Sequence, residues 1–209
     1  MPQTIYLVRH GETVWNREGR VQGHLDSPLT TRGLVQARRA GDTLRGLIDD
    51  PQEYTLLTSP LGRARQTAAI VAEILGWGSG ACRQDPGLRE MSWGEWEGLT
   101  TEEIARDEPA RWAERTRAKW TFAPPAGESY AMLARRARLW LASVATEAHL
   151  VAVAHSGFGR ILRGIYLGLT PEQTLALDGP HDAVFRLARG SVARFDTESE
   201  TSRAVKSRG

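Results

Sequence analysis

Leu150-Val151-Ala152-Val153-Ala154-His155-Ser156-Gly157-Phe158 is the stretch on which the reading of this chain turns. Five consecutive apolar residues suit a strand buried on both faces. They run straight into His155-Ser156-Gly157, after which Phe158, Ile161, Leu162 and Ile165 recur at helical spacing. Such a strand needs helices on both sides of its sheet.

Similar units recur upstream. A strand over Thr4 to Val8 meets Arg9-His10-Gly11, and after a loop to about Pro28 a helix is predicted from near Thr30 to Ile48, with Leu34, Ala37, Gly41, Leu44 and Ile48 on one face. A second strand, Tyr54 to Thr58, meets Ser59-Pro60. Ser59 is expected to cap the next helix and Pro60 to open it, with Leu61, Ala64, Ala68, Val71 and Leu75 inward. A weak strand near Ala81 to Gln84, a loop from Asp85 to Leu99, a long helix after Gly127 and a terminal pair of strands (Ala183 to Leu187, Val192 to Phe195) complete the pattern. Alternation of this kind predicts one α/β domain over residues 1–196, with a mostly parallel central sheet flanked by helices on both faces. Residues 99–127 break the alternation and are read as a small helical insertion over the active site. Residues 197–209, polar apart from Val205, are expected to be a flexible tail.

Composition excludes several classes. The longest apolar runs are five residues, against about twenty for a membrane span. The N-terminus lacks the basic and apolar regions of a secretory signal. The single cysteine, Cys82, allows no internal disulfide and no cysteine metal cluster. A cytoplasmic protein with no membrane association is expected. Of 27 basic residues only Lys119 and Lys206 are lysines, and the net charge is +2. Arginine suits phosphate and carboxylate ligands. Acids and bases interleave, without the basic stripe of a nucleic-acid binder. Oligomeric state is not legible.

In open α/β sheets, ligands bind beyond the carboxyl ends of the strands. Three such ends carry polar groups: Arg9-His10-Gly11, Ser59 to Arg63, and His155-Ser156-Gly157. Two histidines and two arginines are thereby expected to converge.

Leu7-Val8-Arg9-His10-Gly11-Glu12-Thr13 resembles the Arg-His-Gly signature of the histidine phosphatase superfamily, in its phosphoglycerate-mutase-like branch. The similarity continues in order through Trp15-Asn16, Gly19-Arg20, Gln22-Gly23, Asp26, Pro28-Leu29-Thr30, Ser59 to Ala68, Leu88-Arg89-Glu90, Gly94 to Gly98, Gly127-Glu128-Ser129 and His155. The resemblance implies that His10 is the nucleophile that accepts a phosphoryl group. It implies that Arg9 and Arg63 clamp the phosphate, that His155 and Asn16 donate to it, and that Glu90 protonates the leaving oxygen and then activates water. Gln22 and Gly23 are substrate-side positions by the same resemblance. Nearby arginines would keep a nitrogen of His10 unprotonated by like-charge repulsion. Ser156 departs from the pattern, standing where many relatives carry a second glycine; its hydroxyl either donates to the phosphate or caps the following helix.

Several residues read as structural. Glu12 and Thr13 hold the loop, Trp93 and Trp96 pack around Glu90, and Glu128 orients a pocket residue. His24 is read as solvated near the pocket entrance, and His149 and His181 have no motif support. In the insertion, Arg111, Arg115, Arg117 and Lys119 read as a solvated face balanced by Glu102, Glu103, Asp107, Glu108 and Glu114.

The expected activity is hydrolysis of a small phosphorylated metabolite, without metal, through phosphohistidine. The alternative is a phosphoglycerate mutase, the one case in which a 2,3-bisphosphoglycerate primer is expected; by the same resemblance the glycolytic mutases are longer chains with an extra insertion that this chain is too short to carry, which favours the hydrolase. A binding module without turnover would have a broken catalytic set, whereas Arg9, His10, Arg63, Glu90 and His155 are all present.

Overall fold

The computed structural model describes residues 3–78 and 80–197. Six strands, β1 (Thr4–Arg9), β2 (Thr55–Thr58), β3 (Cys82–Gln84), β4 (His149–Ala154), β5 (Ala183–Ala188) and β6 (Ser191–Asp196), form one sheet in the order β3-β2-β4-β1-β5-β6. The first four in that order are parallel; β5 runs antiparallel to β1, and β6 to β5. The single α/β domain with a mostly parallel sheet is therefore as read from the sequence.

Side chains alternate across each strand, so both faces must be covered. Tyr6, Val8, Leu56, Val151 and Val153 pack under α2 (Thr31–Leu47) and α3 (Gly62–Ile74), against Ala40, Leu44, Ala64, Ala68 and Val71. Ile5, Leu7, Leu57, Leu150 and Ala152 face α6 (Tyr130–Ser143) and α7 (Ser156–Tyr166), against Leu133, Ala137, Trp140, Phe158 and Ile161. Each fully buried Leu or Ile contributes about 2 kcal/mol.

Two local expectations are corrected. Leu34 is exposed: α2 turns Gly33, Gln36, Ala37, Ala40, Gly41 and Leu44 inward, because small residues let it lie close to its neighbours. Ser59 does not cap α3, which begins at Gly62 behind Leu61 with no side-chain cap from its own segment. The Asp26 carboxylate does that work from a distant loop, accepting from Gly62 N at 2.6 Å and Arg63 N at 3.3 Å.

Within residues 99–127 lie α4 (Thr101–Asp107), entered through a Thr100/Glu103 capping box, and α5 (Pro109–Arg117), opened by proline. Trp96 is fully buried, stacks on Phe122 at 5.6 Å and donates from Nε1 to Glu108 at 2.6 Å, which fastens this segment beside the loop that carries Glu90. The short helices α1 (Val14–Glu18) and α8 (Pro171–Ala176) complete the set among the described residues. No helix among them is long and apolar enough to cross a membrane. Thr197 is buried and donates to the Asp182 carbonyl at 2.9 Å. The rest of the expected tail, 198–209, lies outside the described residues.

Candidate active site

The parallel ladder continues one residue past the strands. His10 N donates to the Ala154 carbonyl and Ser59 N to the Val153 carbonyl, both at 3.0 Å. This continuation brings His10, Ser59 and His155 together, with the two imidazoles 5.2 Å apart.

His10 is buried. Its Nδ1 lies 2.8 Å from the Gly11 carbonyl, which only accepts, so Nδ1 carries the proton. Burial holds the pKa of His10 well below its ordinary 6.5, and repulsion by His155, Arg9 and Arg63 adds to the effect. The neutral ring therefore leaves Nε2 as an unprotonated nitrogen, the form a nucleophile needs.

His155 is also held neutral, by burial first and then by Arg63 and Arg9. Its Nε2 lies 2.8 Å from Ser59 Oγ, and that oxygen accepts from Leu61 N at 3.3 Å. Where the Ser59 hydroxyl donates to Nε2, the His155 proton sits on Nδ1. Ser59, read as a helix cap, acts instead on the second histidine.

Arg63 sits in the first turn of α3 with its side chain 1% exposed. Its terminal nitrogens are held by the carbonyls of Leu25 (2.7 Å) and Gly23 (2.8 Å) and by Asp26 (2.8 Å). Arg9 donates to the Gly179 carbonyl, and burial lowers its pKa to about 10 while Glu90 opposes that fall. Among the described residues, the Nε of Arg9, the Nε of Arg63 and Nδ1 of His155 are buried without a hydrogen-bond partner. Each belongs to a residue whose charge or ring acts on His10. An unpartnered buried donor costs about 1–3 kcal/mol. Unsatisfied nitrogens on three residues that act on His10 suit a ligand with several acceptor oxygens, such as a phosphoryl group.

Glu90 follows the 3₁₀ turn Pro86–Leu88, whose Leu88 is anchored in the core. Its carboxylate accepts from Met91 N (2.9 Å), Gly157 N (2.9 Å) and Phe158 N (3.0 Å), closing the N-terminus of α7 beside His155. A methyl group at position 157 would lie 2.5 Å from the carboxylate, so the approach depends on glycine. The backbone carbonyl of Glu90 is gripped by Arg136 at 3.0 Å and by His24 Nε2 at 2.9 Å. Glu128 in turn orients Arg136 at 2.8 Å. His24 is therefore bonded rather than simply solvated.

Asn16 spends its Oδ1 on Thr13 in the cap of α1, which leaves its amide NH₂ as the end that can meet a ligand. Gln22 is buried, its Oε1 without a partner among the described residues. Gly23 acts through its carbonyl on Arg63. Ser156 opens α7, where His155 is the N-cap and makes no side-chain cap; it lines a small cleft with Leu7, Arg9, Gly159, Gly179 and Phe185. Glu97 is a loop brace that accepts from His24 N, Leu25 N and Trp93 N. Sequence reasoning passed over His181, whose ring lies 5.6 Å from that of His10 and whose Nδ1 donates to the His10 carbonyl at 2.8 Å. A histidine facing a strand end from beyond the next crossover carries no local signal.

The insertion cations divide. Arg111 pairs with Glu108, as a solvated face predicts. Arg115 is instead 8% exposed, its guanidinium 4.4 Å from the centre of the Trp93 ring, and it has no carboxylate partner among the described residues. Lys119 feels the charges of Arg115 and Arg160, and Arg160 acts on Arg9. Arg9, Arg160, Lys119 and Arg115 thus carry cations without a carboxylate salt bridge among the described residues.

The family model for the histidine phosphatase superfamily (branch 1) matches residues 5–197. The chain belongs to that superfamily. A Klebsiella pneumoniae relative named "Probable phosphoglycerate mutase GpmB" is 35% identical over 192 residues, covering 92% of this chain and 84% of the relative. Among solved structures, a mycobacterial glucosyl-3-phosphoglycerate phosphatase superposes with a TM-score of 0.77 at 29% identity, covering 94% of this chain and 100% of that one. The alpha-ribazole phosphatase from Shigella flexneri shares the fold with a TM-score of 0.81 at 23% identity, covering 94% and 96%. This member of the superfamily thus resembles both phosphatases and a mutase-like protein.

Proposed function

We propose that this histidine phosphatase-superfamily protein hydrolyses a small phosphomonoester without a metal ion, through a phosphohistidine on His10. The observation that carries the reading is that Arg9, Arg63 and His155, which all act on the neutral His10, each keep a buried side-chain nitrogen without a partner among the described residues. Nε2 attacks phosphorus, the bond to the leaving oxygen breaks, and Glu90 in its acid form gives that oxygen a proton. Glu90 then takes a proton from water, whose oxygen attacks phosphorus while the P–N bond breaks and Nε2 regains its lone pair. The sum is ester plus water giving alcohol and phosphate. Charge-assisted hydrogen bonds of about 1.5–3 kcal/mol each, from Arg9, Arg63 and His155, supply the stabilisation that a metal provides elsewhere.

The unpaired Arg115, Lys119 and Arg160 support a substrate with a second negative group beside the phosphate. The likeness to a probable phosphoglycerate mutase supports a second reading, isomerisation, in which the same phosphohistidine is shielded from water. One assay separates the two: purified protein with 3-phosphoglycerate and a trace of 2,3-bisphosphoglycerate in EDTA, following free phosphate and 2-phosphoglycerate. Phosphate release without isomerisation is expected, and His10→Ala should abolish it at every pH. Isomerisation without phosphate release would make the protein a mutase; turnover by His10→Ala would remove the covalent mechanism.

A further inference from the structure

The segment 177–182, between α8 and β5, holds the site through its backbone. The carbonyls of Leu177, Asp178 and Gly179 accept in turn from Arg160 Nε (2.7 Å), Arg163 and Arg9. Two residues later, His181 Nδ1 donates to the carbonyl of His10 at 2.8 Å. The acceptor is a carbonyl, so Nδ1 bears the proton.

The peptide that joins His10 to Gly11 is thereby bonded at both poles. Its oxygen takes the His181 proton, and its N–H donates to Thr67 Oγ1 at 3.1 Å. The next carbonyl along, that of Gly11, accepts the ring proton of His10. Gly11 cannot drift toward α2, because even a Cβ there would lie 2.2 Å from the Gly33 carbonyl. That carbonyl belongs to the following peptide, whose Glu12 N–H donates to Gln36 Oε1 at 2.8 Å, so two consecutive planes place the acceptor that decides which nitrogen of His10 is free, and His181 and Thr67 hold the first of them.

We propose that His181 is a positioning residue for the nucleophile. With Thr67 it fixes the His10–Gly11 peptide, so that Gly11 keeps the His10 proton on Nδ1 and directs phosphorylation to Nε2. The proposal rests on His10 being the nucleophile, as proposed above. A purely structural histidine would affect stability alone, whereas a positioning one affects the tautomer and kcat.

The test uses the full chain and two variants. His181→Asn keeps a side-chain donor, and His181→Phe keeps a ring without one. Nitrogen-15 NMR of the His10 ring reports its tautomer in the resting protein, and kcat on p-nitrophenyl phosphate is measured in EDTA. The native protein and His181→Asn should show a single Nδ1–H form, with kcat within about threefold of each other. His181→Phe should show an Nε2–H component and a kcat lower by about tenfold or more, with KM changed far less, since small misplacements of a reacting group carry costs of this size. Should His181→Phe not fold, Thr67→Val releases the other pole of the same peptide and must mix the tautomers in the same way. A folded His181→Phe or Thr67→Val with one His10 tautomer and native kcat overturns the proposal. Absence of phosphohistidine in the native protein would instead refute the proposed function, while the tautomer measurement would still report on the hold exerted by His181.

Discussion

The hydroxyl of Ser59 lies 2.8 Å from Nε2 of His155 and ties that ring nitrogen into a hydrogen bond. The serine oxygen also accepts from Leu61 N, and with Nε2 taken by the serine the Nδ1 of His155 is the nitrogen left buried without a partner among the described residues. Ser59→Ala should therefore lower kcat/KM by about tenfold, the order expected for one mis-set hydrogen bond of about 1.5 kcal/mol. Steady-state kinetics on p-nitrophenyl phosphate checks this. Native values would show that the serine merely fills space.

Glu90 accepts three backbone N–H groups, and a glutamine there offers only one oxygen to them. Glu90→Gln should cost about 10²–10³ in kcat on alkyl phosphates, within the usual range for a general acid, and far less on p-nitrophenyl phosphate, whose leaving group needs no proton. A series of esters ordered by leaving-group pKa should steepen in slope in the variant. Equal losses across the series would assign Glu90 a scaffolding role.

Arg115 has lost most of its water without gaining a carboxylate, and burial lowers its pKa. It rests on the rings of Trp93 and Trp112 and bonds Tyr130, so a substrate anion is expected to supply the carboxylate-like counter-charge it lacks among the described residues. Arg115→Gln should raise KM for 3-phosphoglycerate by about tenfold, several-fold more than for p-nitrophenyl phosphate, as for loss of a charge-assisted bond. Matching shifts for both esters would refute a second anion contact.

Three histidines shape stability against pH. Burial depresses His10 and His155 well below 6.5, and takes His181 to about 4. Between those values and 6.5 the unfolded chain binds protons that the folded chain refuses, so stability falls as pH drops below 6.5 and is flat in these groups above it. His181 alone contributes about 3 kcal/mol over that window. Urea unfolding from pH 7.5 to pH 5 should show the slope, and His181→Asn should flatten it by about one proton. Equal slopes in the two proteins would place the titration elsewhere.

The strands and most helices were legible because their signals are local. Leu150 to Ala154 is apolar in the way a doubly covered strand must be, and Phe158, Ile161 and Leu162 repeat at the pitch of a helix. Residue type and position at strand ends also singled out Arg9, His10, Arg63 and His155 as candidates, and the structure brings His10 and His155 together; Glu90 was singled out only through the resemblance to the family. Leu34 shows the limit of such patterns: helical spacing alone did not reveal that small residues, rather than leucine, face the core of α2.

What the sequence determined by itself was thus the class of fold, together with a set of candidate residues for the site. Tertiary structure alone decided how each group is held. Ser59 reaches a histidine 96 residues away, Asp26 caps a helix 36 residues away, and His181 grips a carbonyl 171 residues away. Arg115 and Arg111 lie four apart on one helix, yet one is buried without a counter-ion and the other is paired in solvent. Periodicity and capping are short-range properties of the chain, whereas proton positions, counter-ions and burial depend on atoms that only folding brings within hydrogen-bond distance.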